Sequence, residues 1–202
     1  MKHITIFASG NGTNAENITR FFATGYLARV DVVLCNNATA KVVERMRPYK
    51  VPVRIFSKED WERGTEIIKD LKSLRTDLVV LAGFTGYVVK KIIDAYPGRI
   101  INIHPALLPK HGGKGMYGDH VHQAVLDAGE TESGVTIHYV TEEVDGGSII
   151  RQEKCPVMPD DTVETLAKRV HALEYKIYPR VIQQVLMRLP DLPDYDYSNQ
   201  SY

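Results

Sequence analysis

Short apolar runs alternate with longer amphipathic ones along the first half of this chain, and that alternation leaves few folds open. Strand candidates are His3–Ala8, Val30–Cys35, Val53–Ile55, Leu78–Ala82 and Ile100–His104. Between them lie helix candidates at Asn14–Ala23, Ala40–Arg47, Lys58–Leu74 and Val88–Ala95. Strand, helix and strand in succession build a mostly parallel sheet, because each crossover helix returns over one face of it. The expected class is therefore α/β, a Rossmann-like sheet with helices on both faces. After His104 the rhythm changes. A Pro/Gly-rich loop runs from Pro105 to Gly118, and a helix is expected over His120–Ala128. The runs Gly134–Val140 and Ser148–Cys155 then flank Glu-Glu-Val-Asp-Gly-Gly and read as a C-terminal antiparallel hairpin. Thr162–Leu189 reads as one long helix with Asp161 or Thr162 as N-cap, which Pro179 should kink or split. Residues 1–189 are expected to form one domain. The tail 190–202, polar and turn-rich with Tyr195, Tyr197 and Tyr202, is expected to be loose.

The last of those strands ends unusually. Along Ile100-Ile101-Asn102-Ile103-His104-Pro105 side chains alternate faces, so Asn102 and His104 point the same way with Ile103 opposite. An amide and an imidazole at a buried strand end are costly without partners, so they form either a satisfied structural pair or a catalytic one. An amide N–H and an imidazolium can both stabilise an oxyanion, and a carboxylate can hold the imidazole charged. Asp145, on the Asp145-Gly146-Gly147 turn, is the candidate carboxylate, expected to raise the His104 pKa against the opposing effect of burial.

Ser9-Gly10-Asn11-Gly12-Thr13-Asn14-Ala15 joins the first strand to the first helix. Glycines there allow a tight turn, and the free N–H groups of a helix start attract phosphate. The loop also satisfies G-x-G-x-x-A, which keeps an NAD-dependent dehydrogenase open as an alternative. That fingerprint needs a carboxylate at the end of the second strand, where this chain has Leu34-Cys35-Asn36-Asn37. A monophosphate site is the better reading. A nucleotide-binding sensor would use this loop but have no use for Asn102, His104 and Asp145 together.

Composition excludes several classes. Lys plus Arg and Asp plus Glu number 25 each with no basic run, so nucleic acid is not an expected partner. No apolar stretch is long enough for a membrane span, and no signal-peptide pattern opens the chain. Cys35 and Cys155 share no CxxC motif, which fits a reducing cytoplasm. His111, His120 and His122 with Asp119 match no recognised metal spacing, so no metal is expected.

Taken in order, the phosphate loop, Ala82-Gly83-Phe84, Asn102-Ile103-His104-Pro105-Ala106-Leu107-Leu108-Pro109 and Asp145-Gly146-Gly147 resemble the phosphoribosylglycinamide formyltransferases. These belong to the folate-dependent formyltransferases, and the resemblance covers Ile4 to about Leu189. It implies transfer of the formyl group of 10-formyltetrahydrofolate to the amine of glycinamide ribonucleotide in purine biosynthesis, by a cytoplasmic monomer or homodimer. A formyltetrahydrofolate hydrolase-like activity is the alternative within the family. The extra domains of the related hydrolase and methionyl-tRNA formyltransferase would not fit within 202 residues. Residue by residue, the resemblance assigns catalysis to Asn102, His104 and Asp145, phosphate binding to Gly12, Thr13 and Asn14, and ribose binding to Glu174. Folate contacts fall on Thr85, Gly86, Tyr87, Val88, Asn102, Val140, Glu142 and Asp145. It also implies a cis peptide at Leu108–Pro109. Where a common form of the family has Met-Arg, this chain has Thr85-Gly86, which leaves Lys90 and Lys114 as candidate anchors for the folate tail. The glycine-rich loop His111–Gly118 is longer than the common form and is expected to act as a lid.

Overall fold

The structure, a computed structural model, describes residues 1–192. Its strands are β1 (Lys2–Ala8), β2 (Ala28–Cys35), β3 (Val53–Ile55), β4 (Leu78–Leu81), β5 (Ile100–His104), β6 (Glu132–Tyr139) and β7 (Ile149–Pro156). The helices are α1 (Thr13–Phe22), α2 (Val42–Met46), α3 (Lys58–Arg63), α4 (Thr65–Ser73), α5 (Lys90–Ala95), α6 (Asp119–Asp127) and α7 (Val163–Arg188). They surround one sheet of order β3-β2-β1-β4-β5-β6-β7. β3 to β5 of that order pair in parallel, while β6 runs antiparallel to β5, and β7 to β6. The expected α/β class and C-terminal hairpin are what the chain forms.

Alternation explains the two layers of core. Ile4, Ile6 and Ala8 of β1 join Leu78 and Val80 of β4 under α1 and α7. Phe7, Val79, Leu81 and Ile100 face the other way, onto Trp61, Ile67, Leu71 and Ile92 of α3, α4 and α5. In β5, Ile101 and Ile103 belong to the first layer, so Asn102 and His104 share the face of Ile100. The chain moves outward through β2 and β3 and then crosses to β4 on the far side of β1. Loops leaving β1 and β4 diverge there, and such a switch point opens a crevice at the carboxyl ends of the strands.

Two segments depart from expectation, and at a third the split that was one of two expected outcomes does not occur. Lys58–Leu74 is two helices, because Gly64 adopts φ 69° and ends the first of them. The helix expected over Ala40–Arg47 shortens to α2, followed by a 3-10 turn at Arg47–Tyr49. Pro179 does not split α7. It removes the N–H that would have met the Tyr175 carbonyl, and Asn17 Nδ2 of α1 donates to that carbonyl instead, at 2.9 Å. One turn away the buried Tyr178 hydroxyl donates to Leu81 O at 2.8 Å, pinning α7 beside the crevice. Of the tail expected to be loose, Pro190 and Asp191 are tied to Lys2 and Arg99. Residues 193–202, with Tyr195, Tyr197 and Tyr202, lie outside the described residues.

Candidate active site

The antiparallel register of β5 and β6 sets Asn102 opposite His138 and His104 opposite Thr136. Cross-strand partners touch, and Asn102 Nδ2 lies 3.2 Å from His138 Nε2. His138 Nδ1 is 2.9 Å from Tyr139 O, which calls for a proton on that nitrogen, and its Nε2 faces Asn102 Nδ2 and Asp145 Oδ1 at once. Asp145 arrives from the hairpin turn with φ 57°, a left-handed backbone uncommon outside glycine. Its carboxylate spans the cluster. Oδ2 is 3.5 Å from His104 Nδ1 and accepts the Gly113 N–H at 2.9 Å, while Oδ1 is 3.5 Å from His138 Nε2. The turn itself leaves no space at Gly147, where a Cβ would fall on the Tyr139 carbonyl. That glycine serves the chain's own close approach, not a ligand's.

The other nitrogen of His104, Nε2, lies 2.8 Å from His111 O and must donate its hydrogen there. A second proton would sit on Nδ1, facing Asp145. Burial opposes it: with the His104 side chain 3% exposed, desolvation pulls the pKa down, and His138 and His111 add to that. Asp145 and the His111 carbonyl pull upward and lose. The expectation that the carboxylate would win is therefore corrected: burial outweighs it. Burial also pushes Asp145 upward, but its contacts with His138, His104 and Gly113 hold the carboxyl below its ordinary value. Asp145 thus remains an anion beside an imidazole poised to take up a proton.

The turn after His104 is pinned from below. Thr136 Oγ1 donates to Ala106 O at 2.6 Å and accepts the Leu108 N–H, and Gln152 Nε2 donates to Leu108 O at 2.8 Å. Leu108–Pro109 is cis, as the resemblance implied.

At the far end of the crevice, Gly12 caps α1 with φ 72°, and no side chain caps the helix start. A Cβ at Gly12 would collide with Val42, so glycine is required there on two counts. Asn14 Nδ2 donates to Glu174 Oε2 at 2.8 Å, and burial raises the Glu174 pKa against the pull of His171 and Asn14. His122 of α6 is buried nearby, its ring 6.3 Å from that of His171.

Gly12, Thr13, Asn14 and Glu174 line a cavity of about 550 Å³ together with Asn102, His104 and Asp145. Thr85, Gly86, Tyr87 and Val88, and Val140 and Glu142, line it too. The 82–89 loop is fastened to the phosphate loop, with Ser9 N–H donating to Gly83 O at 3.0 Å and Thr85 N–H to Ser9 Oγ at 2.9 Å. A side chain at Gly86 would run into Phe84, whose ring packs on Trp61 at 4.7 Å. The missing arginine therefore has no space without moving that cluster. Of its candidate substitutes, Lys90 is bound to Asp94 and Glu142, whereas Lys114 lines the cavity. The His111–Gly118 loop touches His104 and Asp145 directly, through His111 O and Gly113 N. Among the described residues, no three His, Cys, Asp or Glu side chains are grouped to hold a metal ion.

This geometry can be set beside known proteins. Residues 2–182 match the family model described as formyl transferase. The chain belongs to the formyl transferase family. A phosphoribosylglycinamide formyltransferase of Haemophilus influenzae is 36% identical across 99% of this chain and all of that one. One from Bacillus subtilis is 39% identical across 92% and 95%. Among solved structures, glycinamide ribonucleotide transformylase 1 from Geobacillus kaustophilus superposes with a TM-score of 0.84 at 38% identity, covering 92% of this chain and 99% of that one. The Symbiobacterium toebii counterpart gives 0.85 at 35%, covering 93% and 88%.

Sequence reasoning missed His138. Its signal was present: in Gly134-Val135-Thr136-Ile137-His138 the polar positions alternate and would face a neighbouring strand's polar positions. Only the β5–β6 register shows that the neighbour carries Asn102 and His104.

Proposed function

We propose that this protein transfers the formyl group of 10-formyltetrahydrofolate to the primary amine of glycinamide ribonucleotide. One observation carries the reading: a single cavity is lined by the phosphate loop and Glu174, by Asn102, His104 and Asp145, and by the 85–88 and 140–142 segments. The nucleotide phosphate is placed on the N–H groups of Gly12, Thr13 and Asn14, its ribose hydroxyls on Glu174, and the folate between Thr85–Val88 and the Val140–Asp145 loop. Family membership over nearly the whole chain supports the same assignment.

The amine attacks the formyl carbon and the formyl oxygen becomes negative. Asn102 N–H stabilises that oxygen, and protonated His104 joins it once its Nε2–H turns from His111 O to the formyl oxygen, each such donor typically contributing about 3 kcal/mol. The proton lost by the amine passes through His104, or a water held by Asp145, to the folate N10. The carbon–N10 bond then breaks, leaving tetrahydrofolate and the formylated nucleotide. No covalent enzyme intermediate and no metal enter this scheme. We place the reaction in the cytoplasm, carried out by residues 1–189 as one domain of a monomer or homodimer. Among the described residues, no helix is long and apolar enough to cross a membrane.

The decisive assay follows formyl transfer from 10-formyltetrahydrofolate with glycinamide ribonucleotide, water and methionyl-tRNA as competing acceptors. Nucleotide-dependent release of tetrahydrofolate with matching formylated product is expected. Release at the same rate without the nucleotide would overturn the reading in favour of a hydrolase.

A further inference from the structure

Helix α2 touches three consecutive residues of the phosphate loop, all from behind. The Val42 N–H donates to Gly10 O at 3.1 Å, and the Val42 side chain fills the space beside Gly12. The Arg45 Nε–H donates to Asn11 O at 2.7 Å. Residues three apart share one face of a helix, so a single turn of α2 makes all three contacts. In a trans peptide the C=O and the next N–H point in opposite directions. Holding the Asn11 carbonyl against α2 therefore sends the Gly12 N–H away from α2, on the side where a phosphate would sit.

Charge makes a second demand. Glu16 lies in the first turn of α1, where a carboxylate favours the helix but repels any anion bound at the same terminus. Arg45 Nη1 donates to Glu16 Oε2 at 2.6 Å, and the Tyr49 hydroxyl donates to Oε1 at 2.7 Å. One guanidinium fork thus grips the loop with one N–H and the carboxylate with another, which a lysine point charge does less well.

We propose that Arg45 is a positioning residue for formyl transfer, which holds the phosphate loop in its binding shape and screens the substrate phosphate from Glu16. This rests on the reading of Gly12–Asn14 as the seat of the nucleotide phosphate. Arg45 touches neither the amine nor the formyl group in this scheme, so its loss should appear in the affinity for one substrate only.

The test is steady-state kinetics on Arg45→Met, alone and combined with Glu16→Gln, with thermal unfolding of each variant. Arg45→Met should raise the KM for glycinamide ribonucleotide about tenfold or more, with kcat and the KM for 10-formyltetrahydrofolate within about twofold. Adding Glu16→Gln should recover several-fold of that KM, because it removes the unscreened charge although it restores no loop contact. A nucleotide KM within about twofold of wild type, an equal rise in both KM values, or no recovery in the double variant would each overturn the proposal. Should Arg45→Met fail to fold, Arg45→Lys is judged by the same nucleotide-to-folate KM ratio. Wild-type protein inert toward glycinamide ribonucleotide would overturn the underlying reading and the proposal with it, an outcome distinct from an active enzyme indifferent to Arg45.

Discussion

The two ends of the crevice are made of different material. On the proposed reading the phosphate end binds through backbone N–H groups of a five-residue loop, shaped by Gly12 and backed by α2. At the end proposed to be catalytic, side chains of Asn102, His104, His138 and Asp145 are brought together by a strand register and a hairpin turn. A backbone site binds by position and tolerates changes in its surroundings unevenly. A side-chain cluster shares protons, so each member sets the state of the others. Substitutions at the first end should therefore act on the KM of one substrate, and those at the second on kcat as a coupled unit.

The largest expected effect lies in the cluster. Asp145→Asn and His104→Ala should each lower kcat by roughly a hundredfold to a thousandfold with little change in fold. The double variant should be about as slow as the worse single variant, because residues that act together are far from additive. The Asp145 charge raises the His104 pKa against burial, so its removal lowers that pKa further. Since protonated His104 is the working form here, the alkaline limb of the pH–rate profile should move to lower pH. Losses that multiply in the double variant, measured as kcat/KM, would show two independent groups and dissolve the contrast between the ends.

Glu174 tests the opposite end. Glu174→Ala removes a buried acceptor and should raise the nucleotide KM by about tenfold to a hundredfold. Turnover should stay within about threefold of wild type, and Glu174→Gln should fall between the two. A fall in kcat as deep as that of the His104 variant would mean that nucleotide placement and chemistry are one function.

The same contrast decides what could be read from sequence. Gly10-Asn11-Gly12-Thr13-Asn14 is contiguous, and a local motif carries its own geometry; the structure puts it at a helix start on the crevice. The alternation of apolar runs was legible for the same reason, since strand and helix periods are local. Helix ends were less so: Gly64 breaks Lys58–Leu74 by adopting a left-handed φ that its neighbours do not advertise. The survival of α7 across Pro179 depends on Asn17, which lies far away in sequence. His138 and the sign of the His104 shift depend on register and burial, neither of which a single chain states. Family likeness supplied Glu174, which the residue pattern alone would assign to a solvated helix face.

His122 lies between the ends and offers a smaller, thermodynamic test. Burial first, then the charges of His171 and His104, lower its pKa to about 4, with Asp119 opposing. In the unfolded chain a histidine titrates near ~6.5. Below that value the unfolded state takes up a proton that folded His122 refuses, so stability falls as pH drops from ~6.5 and levels off near the folded value. At pH ~5 the loss attributable to this residue is about 2 kcal/mol. The Nδ1 atom of His122 is buried without a partner among the described residues, so an apolar replacement need not destabilise at high pH. Urea unfolding at pH ~8 and pH ~5 should show His122→Leu losing about 2 kcal/mol less than wild type on acidification. Equal losses would mean that His122 is protonated in the folded protein and belongs to the shared-proton end of the crevice.

The smallest effect is expected at the cavity mouth, where Lys90 Nζ lies 2.9 Å from Glu142 Oε1 and 2.9 Å from Asp94 Oδ1. These two acids, Asp94 foremost, raise the Lys90 pKa, but the side chains of Lys90 and Glu142 are 61% and 60% exposed. Water and salt screen such a pair, so it contributes little to holding the loop. On the proposed reading Glu142 meets the folate through its backbone, which makes this third segment resemble the phosphate loop more than the catalytic cluster. Glu142→Gln and Lys90→Met should then each shift the KM for 10-formyltetrahydrofolate by less than about twofold, and by less still in about 0.5 M salt. A tenfold rise for Glu142→Gln would assign the folate contact to the carboxylate. The cavity would then have a backbone-built site only at its phosphate end, and the contrast would narrow to that one loop.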